Sequence, residues 1–368
     1  MKKNNLLLAT SLLVFLFTAS VAVAQINNVG KIISTGTGDA SKILGAYLKP
    51  YANAFGADLN GGWYNTAKVH KTLGFDLTLT ISTAFVPSAD KTYDVSKLGL
   101  SSEATVTGNS MAPTVAGKNE GGPNLKYTTM AGATPITLAS FNTPKGTGIG
   151  FIPAPMIQLG IGIVKGTDLI GRFVPKIDIG DFGSVSAWGI GLKHSIKQWL
   201  PGIKKAPFFH LSFLGGYTQL HATANLNLPK NYYTDLNPSI TDGTGTTKFD
   251  NQKMDMKLNG LTLNILASFD LPVVTFYAGV GISNTKTTLK LQGNYPIIKI
   301  TDTPPPPVAS IESLTDPINI EMKSMSGGKT TPRLNGGIKL KLSVITIHLD
   351  YTYANYSVAT FGLGISVR

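Results

Sequence analysis

The chain contains no cysteine, so neither disulfide bonds nor cysteine-ligated metals can stabilise its fold. Arginine is also scarce: only Arg172, Arg333 and Arg368 are present, although the net charge is +12. A nucleic-acid-binding protein with this charge usually concentrates arginine and lysine beside stacking aromatic residues. No such run exists here, so we expect no nucleic-acid partner and place the lysines in loops and along a polar interior.

Long apolar runs are missing after residue 25, which excludes a membrane helix of ~20 residues in that part of the chain. One shorter apolar run, from Leu6 to about Val21, follows Lys2 and Lys3 and precedes the triplet Ala22-Val-Ala24. A basic start, an apolar stretch and a small-x-small triplet are typical of a secretory signal peptide. Residues 1–24 are therefore predicted to be a signal peptide, and the protein to be exported.

What the sequence does contain is alternation of apolar and polar residues over about ten residues at a time. From Leu73 to Phe85, every second residue except Thr83 is large and apolar, and the residues between them are small or polar. Period two places the two sets on opposite faces of a β-strand, whereas a helix would scatter them. The same pattern recurs near the end of the chain and in one earlier hairpin, over residues 261–269, 274–282, 333–344, 345–353 and 359–368.

An unbroken apolar face on so many long strands predicts a transmembrane antiparallel β-barrel of ten to fourteen strands over residues 73–368. Such faces would aggregate in water, and a bilayer accepts strands only when every edge is paired. Ten strands are predicted to begin near residues 73, 147, 168, 182, 206, 255, 273, 333, 345 and 358. Because successive strands run in opposite directions, the long connections fall at the same rim, as is usual for bacterial outer-membrane barrels. These connections lie around residues 87–146, 222–254 and 293–332.

Residues 25–72 do not follow the strand pattern. Asp39-Ala-Ser41 is a helix start, and apolar residues at helical spacing continue to Gly56, with Pro50 expected to kink or break the helix. We expect this segment to form either a periplasmic extension or a plug inside the barrel. Paired glycines on the inward face of four strands, as in Trp188-Gly-Ile-Gly-Leu192, favour the plug because they permit close approach.

Several segments resemble the outer-membrane long-chain fatty-acid transporter family and, more closely, an uncharacterised outer-membrane β-barrel family related to it. They are Tyr47–Tyr51, Asn60–Ala67, the stretch from Ile152–Pro155 through Gly166–Asp168, Arg172–Pro175 and Gly189–Pro201. The resemblance implies a fourteen-stranded barrel, an N-terminal hatch in the lumen, and apolar substrates that leave sideways into the membrane. The family's Asn-Pro-Ala signature is missing from this sequence, so its ligand-contact residues cannot be transferred.

Seven charged or titratable residues are predicted to face the lumen, since they lie on the polar side of their strands. These candidate lumen-facing residues are Asp76, Arg172, Arg333, Lys339, Lys341, His348 and Asp350. One hypothesis is a charge network in which Asp76 and Asp350 neutralise the cations and support the barrel. The other is a solute path, or an anchor for an anionic headgroup.

The sequence indicates no catalytic, cofactor or metal site. The five histidines lack the short spacing to a partner acid that a hydrolytic zinc site requires, and no Gly-x-Ser-x-Gly elbow is present. We therefore expect a non-enzymatic protein of the cell outer membrane, in contact with outer-membrane lipid and lipopolysaccharide. The leading hypothesis is passive uptake of hydrophobic or amphipathic small molecules, and the alternative is a non-transporting barrel that supports secretion or surface assembly.

Overall fold

The alternating segments form antiparallel strands in a computed structural model that describes residues 32–33, 36–131, 134–164, 166–226, 251–301, 308–323 and 330–367. The predicted signal peptide, residues 1–24, lies outside this part of the chain. The strands are β1 (Phe75–Phe85), β2 (Thr92–Asp94), β3 (Ala104–Thr107), β4 (Met111–Pro113), β5 (Asn124–Ala131), β6 (Thr134–Asn142), β7 (Phe151–Val164), β8 (Thr167–Asp178), β9 (Gly183–Ser195), β10 (Phe209–Asn225), β11 (Lys253–Asp270), β12 (Val274–Gln292), β13 (Asn294–Thr301), β14 (Val308–Thr315), β15 (Ile318–Lys323), β16 (Thr331–Leu342), β17 (Ile345–Tyr353) and β18 (Val358–Val367).

Ten of these strands close into a barrel: β1, β7 to β12 and β16 to β18. Each pairs antiparallel with its neighbours along the chain, and β1 closes the ring by pairing with both β7 and β18. The predicted fold class, an antiparallel barrel with a partly helical N-terminal segment, is thus confirmed at ten strands. The fourteen strands implied by the family resemblance are wrong for this chain, because the strands within the long connections pair with each other or, in the case of β15, with β12 alone, and none is inserted between two ring strands.

The outward face of the barrel is an apolar belt. Side chains such as Ile190, Val280 and Leu349 are 53%, 57% and 62% exposed, although they are large and apolar. The residues between them turn inward and are buried, as in β1, where Thr78, Thr80 and Ser82 are at most 2% exposed. Burial of the polar face and exposure of the apolar face is the reverse of a water-soluble barrel.

The connections divide the barrel into two unlike rims. At one, which we call the short rim, β7 and β8 are only two residues apart in the chain, residues 271–273 and 343–344 are tight turns, and only the connection 196–208 is longer. At the other, the long rim, residues 86–150, 226–252 and 293–330 join the strands. Parts of the long connections fold into small sheets, β2–β4, β3–β5–β6 and β13–β14, while β15 extends the wall beside β12.

The N-terminal helix, α1 (Thr37–Asn60), is longer than predicted: it continues through Pro50 and four residues past Gly56. Gly56 does not end the helix. It lies where the helix contacts the barrel wall. A side chain there would place Cβ 2.3 Å from the Thr285 side chain of β12. Within the described ranges, no helix combines the length and hydropathy that a membrane crossing requires.

Candidate functional site

Residues 37–72, here called the inner segment, run down the inside of the barrel from the long rim to the short rim. Near the long rim, the Tyr47 hydroxyl donates to the carbonyl of Lys145 at 2.8 Å. The helix ends in mid-lumen at Asn60, and the chain continues to His70 beside the first residues of β8. The alternatives left open by the sequence were a periplasmic extension and a plug, and this segment lies within the ring of strands.

Two of the three arginines hold the C-terminal end of α1. Arg172 of β8 donates to the carbonyls of Leu59 at 3.1 Å and Gly61 at 2.7 Å, and Arg333 of β16 donates to the carbonyl of Asn60. The last carbonyls of a helix have no partner within the helix and carry its negative dipole end. Guanidinium groups from two sides of the wall therefore satisfy these carbonyls electrostatically and fix the helix in the lumen.

The next residue that fills the lumen is Trp63, which is 1% exposed. Its ring lies 3.8 Å below the Arg172 guanidinium and packs against the wall at Gly191 and Gly216. A Cβ on those two glycines would lie 2.7 Å and 2.6 Å from the ring. Because these inward glycines of β9 and β10 have no side chains, they leave room for the tryptophan ring. Gly279 of β12 leaves room for Tyr64 in the same way.

Asp350, Lys339 and His348 are buried on the same side of the lumen. Asp350 accepts hydrogen bonds from Asn335 Nδ2 at 2.7 Å and from the Tyr277 hydroxyl at 2.9 Å. Lys339 Nζ donates to Asn65 Oδ1 of the inner segment at 2.8 Å. Arg333 and Asp350, which Asn335 and Thr352 join, and Lys339 thus form a polar network between wall and inner segment. His348 is buried beside them, and neither of its ring nitrogens has a hydrogen-bond partner among the described residues.

Two other predicted residues lie apart from this network. Lys341 is exposed at the end of β16, beside the turn at residues 343–344 of the short rim. Asp76 is near the same rim but faces the interior, with Oδ1 3.3 Å from His70 Nε2. The neighbour of Asp76 is thus a histidine of the inner segment, and not one of the predicted wall cations; strand parity did not connect the two residues.

A second cluster, missed from the sequence, fastens the lower end of the inner segment. Asp168 of β8 accepts from the His70 backbone N–H at 2.8 Å and lies 3.0 Å from His70 Nδ1. Lys193 of β9 lies 3.0 Å from the same carboxylate and donates to the carbonyl of Lys68 at 3.1 Å. The pairing of β8 with β9 places Asp168 beside Lys193, and the path of the inner segment brings His70 to them, although the three residues are far apart in sequence.

The helix also carries one fully buried acid, Asp58. Burial raises the pKa of this carboxyl well above its usual range, and a hydrogen bond with the Ala84 backbone opposes the rise. The negative end of the helix dipole disfavours a carboxylate at the same place. Asp58 therefore takes up a proton more readily than an exposed aspartate.

The barrel wall is not fully paired between β7 and β8. The described residues of the two strands pair from the short rim only as far as Ile157 and Phe173, although β7 extends back to Phe151 and β8 continues to Asp178. Pro153, Pro155 and Pro175 lie in the unpaired parts and have no backbone N–H to donate. The two strands therefore share no ladder pairs over the part nearer the long rim, and we call this unpaired stretch of the wall the opening.

An apolar pocket lies at this opening. It contains about 390 Å³ of empty space, including space open to the outside. It is lined by Leu59 of the inner segment and by residues of β7 to β10: Ala154, Pro155, Met156, Val174, Ile177, Val185, Ala187 and Leu220. A pocket with only apolar lining residues attracts hydrocarbon and offers a polar solute no hydrogen bonds.

The chemistry available at these two places differs. The polar network and the His70–Asp168–Lys193 cluster consist of groups that already bond to each other, so they hold the inner segment in position. In the part of the chain that the structure describes, no group of three His, Asp or Glu side chains could hold a metal ion. The wall pocket, by contrast, is lined by apolar side chains alone.

A family model described as "Family of unknown function (DUF6588)" matches residues 1–367, and no curated protein matches the chain. Among solved structures, Ail of Yersinia pestis is 7% identical, with 81% of this chain and 99% of that chain covered at a TM-score of 0.24. The Pseudomonas putida toluene transporter TodX is 9% identical, with 82% and 90% covered at a TM-score of 0.23. Neisserial surface protein A is 10% identical, with 80% and 96% covered at 0.24. At such TM-scores these likenesses carry no argument about function, and the fold is established by the strand pairing.

Proposed function

The chain belongs to the family of unknown function DUF6588, and we propose that it is an outer-membrane barrel for passive uptake of hydrophobic or amphipathic small molecules. The apolar belt supports the membrane location, because hydrocarbon accepts strands only when all their edges are paired in a closed ring. The short rim then faces the periplasm and the long rim the exterior, as in bacterial outer-membrane barrels. In this orientation the long connections meet lipopolysaccharide.

The observation that carries the proposal is the apolar pocket at the opening between β7 and β8. Its lining includes Leu59 on the inner segment as well as residues of the wall at the unpaired stretch, so the pocket lies between the segment and the wall. Transfer of an apolar molecule from water to such a site is favourable by about 25 cal/mol per Å² of apolar surface buried. The pocket therefore suits a hydrocarbon or the alkyl chain of an amphipathic molecule.

The inner segment makes a sideways route more favourable than an axial one. Trp63 fills mid-lumen, and the arginines above it bind the helix end to opposite parts of the wall. An axial path would require these buried hydrogen bonds to break, whereas the wall pocket lies at a stretch where β7 and β8 are not paired with each other. A molecule that occupies the pocket can pass into the membrane down its concentration gradient, in the manner that the resemblance to fatty-acid transporters implies.

The test is to fill the pocket with an aromatic ring. Ala154→Phe adds a phenyl group to the lining, at an overpacking cost of about 1–3 kcal/mol. Its matched control is Ala278→Phe, since Ala278 of β12 is exposed on the outward face. Uptake of a radiolabelled long-chain fatty acid or alkane by cells that produce each variant is expected to fall severalfold only with Ala154→Phe. Equal uptake by both variants, at equal amounts of folded barrel, would contradict the proposed route.

The alternative, a barrel that supports secretion or surface assembly, is favoured by one observation at the long rim. Parts of the long connections pack into a hydrophobic core with the start of the inner segment, including Leu125, Tyr127, Tyr295 and Ile43. Such a folded surface could present a binding face to another protein. Deletion of residues 104–142, which contain β3 to β6, tests it. Loss of a surface partner with unchanged uptake would favour this alternative over transport.

A further inference from the structure

The connection 196–208 differs from every other turn at the short rim. The other connections there have two or three residues between strand ends: Val164 to Thr167, Asp270 to Val274 and Leu342 to Ile345. This connection instead contains two 3-10 turns, Lys197–Trp199 and Gly202–Lys205. We call this connection the rim loop. The antiparallel pairing of β9 with β10 does not require a connection of this length.

The rim loop displays large apolar side chains. Trp199 is 66% exposed, and Leu200, Ile203 and Phe208 are 38%, 37% and 47% exposed. These side chains continue the apolar belt at the end of β9 and β10, where Leu192 and Phe213 are also exposed. A tryptophan at the edge of such a belt is typical of the interface between hydrocarbon and lipid headgroups.

The same loop is exclusively basic. Lys197, Lys204 and Lys205 are its charged residues, and residues 196–208 contain no aspartate or glutamate. Lys197 Nζ donates to the carbonyl of Ala206 and so helps to shape the loop. Lys204 and Lys205 are exposed beside Ile203. Lysines next to an interfacial aromatic residue complement the phosphate of an anionic lipid.

We propose that the rim loop is a binding site for anionic phospholipid headgroups in the leaflet at the short rim. This inference rests on the proposed membrane location, because that location brings the apolar side chains of the loop to the bilayer surface. Trp199, Leu200 and Ile203 lie among the upper acyl chains, while Lys204 and Lys205 bind the phosphate. The loop thereby holds the barrel at a fixed depth.

The experiment measures lipid selectivity at Trp199 in the full mature chain. The chain has three tryptophans, and Trp63 is buried in the lumen, so Trp188→Phe leaves Trp199 as the exposed one. The protein is reconstituted at low salt in vesicles that contain phosphatidylcholine and phosphatidylglycerol, with bromine on the acyl chains of one lipid at a time. Quenching of Trp199 then reports which lipid occupies the site.

We expect phosphatidylglycerol to bind near Trp199 several-fold more tightly than phosphatidylcholine. Removal of each lysine is expected to cost about fivefold at most. Lys204→Gln with Lys205→Gln should therefore abolish the preference, whereas Lys97→Gln with Lys118→Gln, two exposed lysines of the long connections, should retain it. Equal quenching by both lipids in the parent protein would overturn the proposal. A preference of this site for added lipopolysaccharide over phosphatidylglycerol would do the same.

Trp188 separates failure of this inference from failure of the proposed membrane location. Trp188 is 49% exposed on the outward face of β9, and Trp199→Phe leaves it as the exposed reporter. If brominated lipid quenches Trp188 but not Trp199, the barrel is in the membrane and only the lipid site is refuted. If neither tryptophan is quenched, the membrane location fails and the lipid site fails with it.

Discussion

Removal of the Trp63 ring should release the inner segment from the wall. The side chain is 1% exposed, lies 3.8 Å from Arg172, and packs into the space left by Gly191 and Gly216. Replacement of a buried tryptophan by alanine costs about 3–5 kcal/mol. If most of that cost falls on docking of the inner segment, Trp63→Ala raises the population of the undocked state by about 10²–10³-fold, since 1.4 kcal/mol corresponds to a factor of ten.

Hydrogen exchange measures this population directly. The amides of residues 61–69 should exchange about 100-fold faster or more in Trp63→Ala, while those of β16 to β18 should change little. Trp63→Phe retains an aromatic ring and is expected to give an intermediate rate. Conductance of planar bilayers provides a second measure, because a displaced segment opens the lumen to ions. Unchanged exchange in residues 61–69 and unchanged conductance in Trp63→Ala would refute the view that this ring holds the segment.

Three further changes test other parts of the account. Gly216→Ala places a Cβ 2.6 Å from the Trp63 ring and should destabilise the protein by about 1–3 kcal/mol in a denaturant titration. The control is Gly171→Ala, whose Cβ meets nothing within 4 Å and which should change stability little. Equal effects of the two changes would contradict the packing of Trp63 against Gly216. Asp168→Asn leaves Lys193 buried beside a neutral group and should cost about 3–5 kcal/mol by the same titration, with a cost near zero as the contrary result. Asp58→Asn should stabilise the protein more at pH 8 than at pH 4 in thermal unfolding. Burial raises the folded-state pKa of Asp58, so its favourable contribution is complete below the unfolded pKa of about 3.9 and is lost as the pH rises through the folded pKa. An equal effect at both pH values would show that the carboxyl does not titrate differently on folding.

The barrel could be predicted from the sequence because strand parity is a local property. Alternation and turn residues placed the starts of all ten barrel strands within about four residues, including Ile345 and Val358. The end of α1 was predicted too early because Gly56 resembles a helix stop in sequence. Its real constraint is the Thr285 side chain on a distant strand, which no local pattern contains.

The candidate functional site was harder to predict from the sequence, because it too depends on contacts between residues that are distant in the chain. The alternation along the strands predicted that Arg172 and Arg333 face the interior. It could not predict which carbonyls they bind, because the position of α1 depends on the whole ring of strands. The His70–Asp168 pair joins residues without any shared motif. Pro153, Pro155 and Pro175 did carry a readable signal, since prolines interrupt pairing. The opening became visible only once the register between β7 and β8 was known.

The most direct test of the central claim is mass spectrometry of apolar molecules that remain bound to the protein after gentle extraction from native membranes. We predict that the parent protein and Ala278→Phe retain a stoichiometric fatty acid or hydrocarbon, and that Ala154→Phe, folded to the same extent, retains little. A ligand profile that is the same in all three proteins, and the same as that of an unrelated barrel in the same detergent, would contradict uptake through the β7–β8 pocket.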